Sequence, residues 1–246
     1  MTITLAHIWR HPIKGVGAEA LEQADLTIGR PVPLDRAFAI LEDGGEGGSG
    51  WRSCRNFLRG AKGPSLMAIT ARTKGDVIHL SHPDRPDIAI NPKSDAQALF
   101  DWLHPIYPED RKPPVDLVAS PPEGMSDAPF ASISILNLKS LAALSSLAGA
   151  DLDMRRFRGN LWMAGAAPWE EFDLIGKTIK LGGATLEVVE PIGRCRATEA
   201  NPATGKRDVN TLALLERGWG HTNFGVYAQV KTSGSIALGD SIEVIS

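Results

Sequence analysis

The sequence is poor in sulfur, with only two cysteines, Cys54 and Cys195, in 246 residues. That is too few for a disulfide framework, so the chain is expected to work in a reducing, cytoplasmic compartment. No apolar run approaches the ~18 residues of a membrane-spanning helix. Residues 1–10 lack the basic stretch and apolar run of a signal peptide. There is no basic excess either: 26 Lys and Arg face 29 Asp and Glu, a net charge of −3. A nucleic-acid-binding surface normally shows the opposite balance. Neither a membrane nor a nucleic acid is therefore expected as a partner. No P-loop, GxSxG elbow or CxxC occurs, and no pair of the six histidines has a zinc spacing.

Short strand signals and glycine turns dominate what is there. Residues 3–9 open the chain as a strand, and His11-Pro12-Ile13-Lys14-Gly15 reads as a tight turn. Strands are expected at 24–28, 37–41, 65–72 and 77–81, with a flexible tip at 44–50. Ser94 can cap a helix carrying Leu99, Trp102 and Leu103. The Pro-rich stretch 112–124 reads as a connector, which divides the chain into residues 1–119 and 120–246. Beyond it, 132–136 reads as a strand and Asn137 as the cap of a helix bearing Leu141, Leu144 and Leu147. Strands at 156–163, 178–189, 224–231 and 241–245 and a short helix at 211–216 complete the pattern. Many short strands with few helices predict an α+β, β-rich, barrel-containing protein and exclude alternating βαβ units.

Two constellations could carry chemistry. In Gly193-Arg194-Cys195-Arg196 the cysteine stands between arginines, and cationic neighbours favour the thiolate that attacks or binds metal. The plain alternative is a small buried hydrophobe, and the residues leave the two about even. In Arg155-Arg156-Phe157-Arg158-Gly159-Asn160 an extended backbone places Arg156, Arg158 and Asn160 on one face. That face suits phosphate or a polar heterocycle. A charged edge strand explains it as simply. Lys14, Arg36 and Arg52 could add a basic lining from the first half. Cys54 is a rival thiol whose replacement is expected to be tolerated. Glu170-Glu171 reads as solvated surface. Together these features fit an anionic, phosphate-bearing ligand with a soft centre.

In these segments the chain resembles the MOSC family (named for the C-terminal domain of molybdenum-cofactor sulfurases), in its two-part form with an N-terminal MOSC barrel domain. The similar stretches are His11-Pro12-Ile13-Lys14, Leu34-Asp35-Arg36-Ala37-Phe38 and Trp51-Arg52, then Arg156 to Leu161, Gly193 to Thr198, Asn201 to Gly205, Phe224-Gly225-Val226-Tyr227 and Gly234 to Asp240. They occur in the family's order along nearly the whole chain. The resemblance implies a MOSC β-barrel of the pyruvate-kinase-barrel-like kind behind a β-barrel-like N-terminal domain, with molybdenum-molybdopterin bound between them. It implies Cys195 as the metal ligand and catalytic thiolate, which suits a sulfur-rich coordination sphere. Lys14, Arg36, Arg52, Arg156, Arg158, Asn160 and Arg194 would hold pterin and phosphate.

Relatives of the amidoxime-reducing-component type reduce N-hydroxylated compounds. The resemblance thus implies an oxidoreductase fed by a separate ferredoxin-, flavin- or cytochrome-type partner, since the sequence holds no iron–sulfur cysteine cluster. The alternative is a carrier of the cofactor, or of a Cys195 persulfide, for other molybdoenzymes. Three positions depart from the family pattern: Gly15 stands where Ser is frequent, Gly159 where Pro is, and Asn201 where Asp is usual.

Overall fold

The computed structural model describes residues 2–246. The first half runs β1 (Thr4–Arg10), β2 (Ile13–Lys14), β3 (Glu19–Leu21), β4 (Gln23–Leu26), β5 (Phe38–Glu42), β6 (Thr70–Lys74), β7 (Val77–His82), β8 (Arg85–Ile90), α1 (Ala96–Leu103) and β9 (Pro114–Ala119). The second half runs β10 (Ile133–Asn137), α2 (Leu138–Ala148), β11 (Leu161–Ala164), β12 (Thr178–Leu181), β13 (Ala184–Gly193), α3 (Thr211–Trp219), β14 (Asn223–Thr232), β15 (Gly234–Ala237) and β16 (Ile242–Val244). Several 3₁₀ turns lie between these elements. The β-rich expectation holds. Among the described residues no helix is long and apolar enough to cross a membrane.

The largest sheet has the order β16-β12-β13-β14-β10-β11-β1-β3. It curls back on itself. The Ile242 N–H donates to the Ile3 carbonyl and the Leu5 N–H to the Asp240 carbonyl, both at 2.9 Å. Thr4 bridges Ser241 beside them. Backbone bonding therefore joins β1 to the start of β16 and leaves no open edge there. The first strand of the chain thus belongs to the sheet of the second half.

Period-2 patterning explains the ring. Ile133 and Ile135, Leu161 and Met163, Leu186 and Val188, and Val226, Ala228 and Val230 all enter one buried cluster. Leu136 and Trp162, on the opposite face of their strands, pack with Phe157, Phe224, Leu144 and Leu215 under α2 and α3. Gly182 at φ 54° lets β12 turn into β13 in two residues. The Asn137 side chain accepts the Lys139 N–H, capping α2 as expected, and Gly149 at φ 67° ends it. In the first half β2, β5 and β9 form one sheet and β6, β7 and β8 another. They share a core of Ile13, Ile40, Leu58, Leu80 and Leu99.

Several expectations change. Residues 64–68 form a 3₁₀ turn, so the hairpin strand begins only at Thr70. Asp95, not Ser94, occupies the N-cap of α1. The Pro-rich connector contains β9, whose one proline, Pro114, is tolerated because it opens a strand that pairs on one side only, with β5. Gly234 begins strand β15, which pairs with β4. The helix after Asn210 runs on to Trp219. Residues 154–157 are a 3₁₀ turn and Arg158 is left-handed at φ 45°, so the strand expected at 156–163 is only Leu161–Ala164. Glu171 is fully buried, not solvated. It accepts from Asn137 Nδ2 at 3.0 Å and Ser140 Oγ at 2.8 Å, and burial raises its pKa above the carboxylate range.

Candidate functional site

A cavity of about 310 Å³ opens between the halves and gathers most of the residues singled out in the sequence. Lys14 and Arg36 come from the first half. Arg156, Arg158, Asn160, Arg194 and Cys195 come from the second. The lining holds six cations, counting Arg59, and one carboxylate, Asp127. Such an excess in a concave site is an anion trap.

Cys195 stands where β13 ends, at the N-cap of the 3₁₀ turn Arg196–Glu199. The Thr198 N–H and hydroxyl both donate to the Cys195 carbonyl, at 3.2 and 3.0 Å, which fixes the backbone under the thiol. Cys195 is exposed at the cavity mouth. Its thiol nonetheless sits above the ordinary cysteine value. The surrounding protein is the main cause, and Asp127 and Cys54 add to it, while the Ala197 N–H and Arg194 oppose. The flanking arginines therefore do not activate it as the sequence suggested. Arg196 turns away to Glu199 at 3.0 Å.

The guanidinium groups are held by backbone. Arg194 donates through Nε to the Phe224 carbonyl and through Nη1 to the Phe157 carbonyl, each at 2.8 Å. Arg158 reaches across to the Gly17 and Ile13 carbonyls at 3.1 and 3.4 Å. Neither has a carboxylate partner in these bonds. Burial, then the nearby Arg36 charge, lowers Arg158 to about 9. Burial lowers Arg194 to about 10, with Arg36 again contributing. Both remain charged at neutral pH, and the Asp127 charge acts on them only from beyond ion-pair distance. Arg156 is fuller: it donates to the Glu199 carbonyl at 3.2 Å and to Asp208 at 2.8 Å, but its Nε is buried without a partner.

Arg36 is left-handed at φ 48°, which turns its side chain into the cavity. It pairs with Asp35 and donates to the Arg158 carbonyl at 2.9 Å. Burial works against its charge, but Asp35 prevails and holds its pKa above the usual value. Asp35 also receives the His11 N–H at 2.7 Å. His11 is kept neutral behind the site: burial, then Arg158 and Arg36, lowers it to about 3. Lys14 donates to the Met125 carbonyl at 2.8 Å and to Asp127 at 2.5 Å.

Two assignments differ from expectation. Arg52 does not line the cavity. It donates to the Glu46 carbonyl at 3.0 Å and lies over the Phe57 ring, away from the other cations. Asn160 lines the cavity but is consumed by the fold. Its Oδ1 accepts from the Ser134 N–H and hydroxyl, and its Nδ2 donates to the Trp9 carbonyl. It pins β1 and β10 beside β11 and so positions its neighbours instead of offering a free amide.

The departures also find reasons. At Gly15 a Cβ would stand 2.5 Å from the Leu58 carbonyl oxygen at φ +77°, so this backbone excludes serine. At Gly159 a Cβ would meet Leu136 at 2.2 Å. Asn201 Nδ2 donates to Asp208 at 2.8 Å, so a carboxylate stands beside the position where the family has Asp.

Sequence reasoning missed Arg59, Asp127 and Tyr227, and did not place Cys54 in the cavity that all four line. The Tyr227 phenol is pushed up to about 12, by burial first and Asp127 next, so it stays protonated. Among the described residues no group of three or more His, Cys, Asp or Glu is placed to hold a metal ion alone.

Residues 2–103 match the MOSC N-terminal beta barrel domain, and residues 123–243 match the MOSC domain. The YuaD protein from Bacillus subtilis is similar in fold, with a TM-score of 0.50 at 13% identity over 99% of this chain and 96% of that one. YiiM from Geobacillus stearothermophilus aligns over 46% of this chain and 54% of its own at 18% identity and a TM-score of 0.37. No curated protein matches in sequence.

Proposed function

From the premise that this chain belongs to the MOSC family, we propose that it is a molybdenum-cofactor-dependent oxidoreductase that reduces N-hydroxylated substrates, with electrons from a separate protein partner. One observation carries the reading. The cavity sets the exposed thiol of Cys195 beside cations with no carboxylate in contact, of which Arg158 and Arg194 are the clearest. That is the donor set for a ligand with a soft metal at one end and a phosphate at the other. The volume of about 310 Å³ falls at the lower end of ligand pockets, and the open mouth adds room. The buried Arg156 Nε without a partner is a further donor left for a guest.

In this reading Cys195 ligates molybdenum, and Lys14, Arg36, Arg156, Arg158 and Arg194 face the pterin and phosphate. The cofactor, when bound, supplies two-electron removal of an oxygen atom from nitrogen. The protein's share is orientation and proton supply. Thr198 and the turn after Cys195 fix where the thiolate points. The Tyr227 hydroxyl, which keeps its proton, faces the same cavity as a donor, and the Asp127 carboxylate, kept ionised by Lys14, faces it as an acceptor. His11 and Asp35 hold Arg36 in its strained backbone conformation from behind.

The test is turnover of an amidoxime or hydroxylamine with reduced viologen as electron donor, on protein loaded with the cofactor. Product amidine or amine in the wild type and none in Cys195→Ser supports the reading. Loaded protein that reduces neither substrate class refutes the reductase activity. The exposed position of Cys195 favours one second reading, a carrier holding the cofactor or a persulfide there for delivery. Transfer of the cofactor or labelled sulfur to an apo-molybdoenzyme without turnover distinguishes it.

A further inference from the structure

Both cysteines of the chain line the one cavity, although they are 141 positions apart in sequence. Each is a free thiol. Cys54 opens the 3₁₀ turn Cys54–Asn56 in the first half, and Cys195 caps the turn Arg196–Glu199 in the second. The loop that follows Cys54 touches the turn that follows Cys195. A Cβ at Gly60 would lie 3.4 Å from the Ala197 Cβ, and Arg207 donates to the Ala61 carbonyl at 2.7 Å. Cys54 also lies within electrostatic reach of the Cys195 thiol. Arg59 Nη1 donates to the Cys54 sulfur at 3.1 Å, which holds that sulfur in place beside the cavity.

We propose that Cys54 and Cys195 form a redox-active dithiol across the cavity, with Cys54 attacking a hydroperoxide and Cys195 resolving the product as an intramolecular disulfide. The Cys54 thiolate attacks one peroxide oxygen. The O–O bond breaks, and the leaving alkoxide or hydroxide takes a proton. Cys54 is then a sulfenic acid. The Cys195 sulfur attacks the Cys54 sulfur, the S–O bond breaks, and hydroxide leaves with the Cys195 proton as water. Two thiols thus give up two electrons, and one hydroperoxide becomes an alcohol (or water) and a second water. The disulfide joins the halves over the cavity mouth and removes the thiol assigned to the metal. A small thiol reductant restores it.

The test uses the full chain free of molybdenum, so it does not depend on the proposed activity. Hydrogen peroxide is added in small excess, and intact mass, free thiols and cross-linked peptides are followed. The proposal expects monomer lighter by two hydrogens, both thiols lost together, and one peptide pair joining Cys54 to Cys195. Cys54→Ser should keep Cys195 free under the same dose. Cys195→Ser should let Cys54 gain oxygen atoms with no internal bridge. Arg59→Gln should slow bridging severalfold while the far-UV spectrum is unchanged. Oxygen addition at one cysteine while the other stays free in the wild type, or covalent dimers as the main product, overturns the dithiol. An unaltered rate in Arg59→Gln overturns the part given to Arg59.

Discussion

The two walls of the cavity are charged alike but balanced differently. On the first-half wall Lys14 is paired with Asp127, and Arg36 with Asp35. On the second-half wall Arg158 and Arg194 are bound to carbonyl oxygens, which satisfy their N–H groups but not their charge. Burial and the nearby Arg36 charge accordingly lower both, to about 9 and about 10. Counting cations alone treats the walls as equal. Counting counter-ions places the demand for an anion on the second half, close to Cys195.

Anion binding can break this contrast. Sulfate is a suitable probe, because it does not titrate in the range concerned. The largest effect is expected from Arg194→Met. Losing charge-assisted bonds of about 2 kcal/mol weakens sulfate roughly thirtyfold by calorimetry. A loss no greater than that of Lys14→Gln removes the distinction between the walls. Next comes pH. Sulfate affinity should be level from pH 6 to 8, where both arginines are protonated. It should then fall about tenfold as pH rises through 9 and 10 and they lose their protons. Affinity that stays flat to pH 10.5 contradicts the lowered values.

Smaller shifts sharpen the contrast. Asp127→Asn removes the only carboxylate of the lining and frees Lys14, so sulfate should bind about fivefold tighter, a gain of about 1 kcal/mol. Weaker binding in that variant shows that Asp127 acts other than as a counter-charge. Lys14→Gln should cost about twofold. Its charge is already met by Asp127, whose side chain is 62% exposed, so solvent screens the pair.

How much of this could be read in the sequence depended on which force decided each element. Where burial alternates along a strand, as at Val226, Ala228 and Val230, the pattern survived folding. So did Asn137, because capping is local. The segment from Arg156 to Asn160 was read as one strand face, yet the same residues reach the cavity by another path. Arg158 at φ 45° breaks the strand, and a left-handed arginine leaves no mark in a sequence. Arg52 sat in a family-like motif but points to Phe57. Glu171 looked like surface because its partners Asn137 and Ser140 lie more than thirty positions away. Counter-ions such as Asp127 for Lys14 are equally remote, 113 positions apart. The identity of most of the cations was legible, Arg59 and Arg52 excepted, and their balance was not.

The most direct test of the account is molybdenum content by mass spectrometry, in protein made in a host that builds molybdopterin, for wild type and Cys195→Ser side by side. The account predicts near-equal molybdenum and protein in the wild type and almost none in the variant. Equal molybdenum in both, or none in the wild type, contradicts Cys195 as the metal ligand of this cavity.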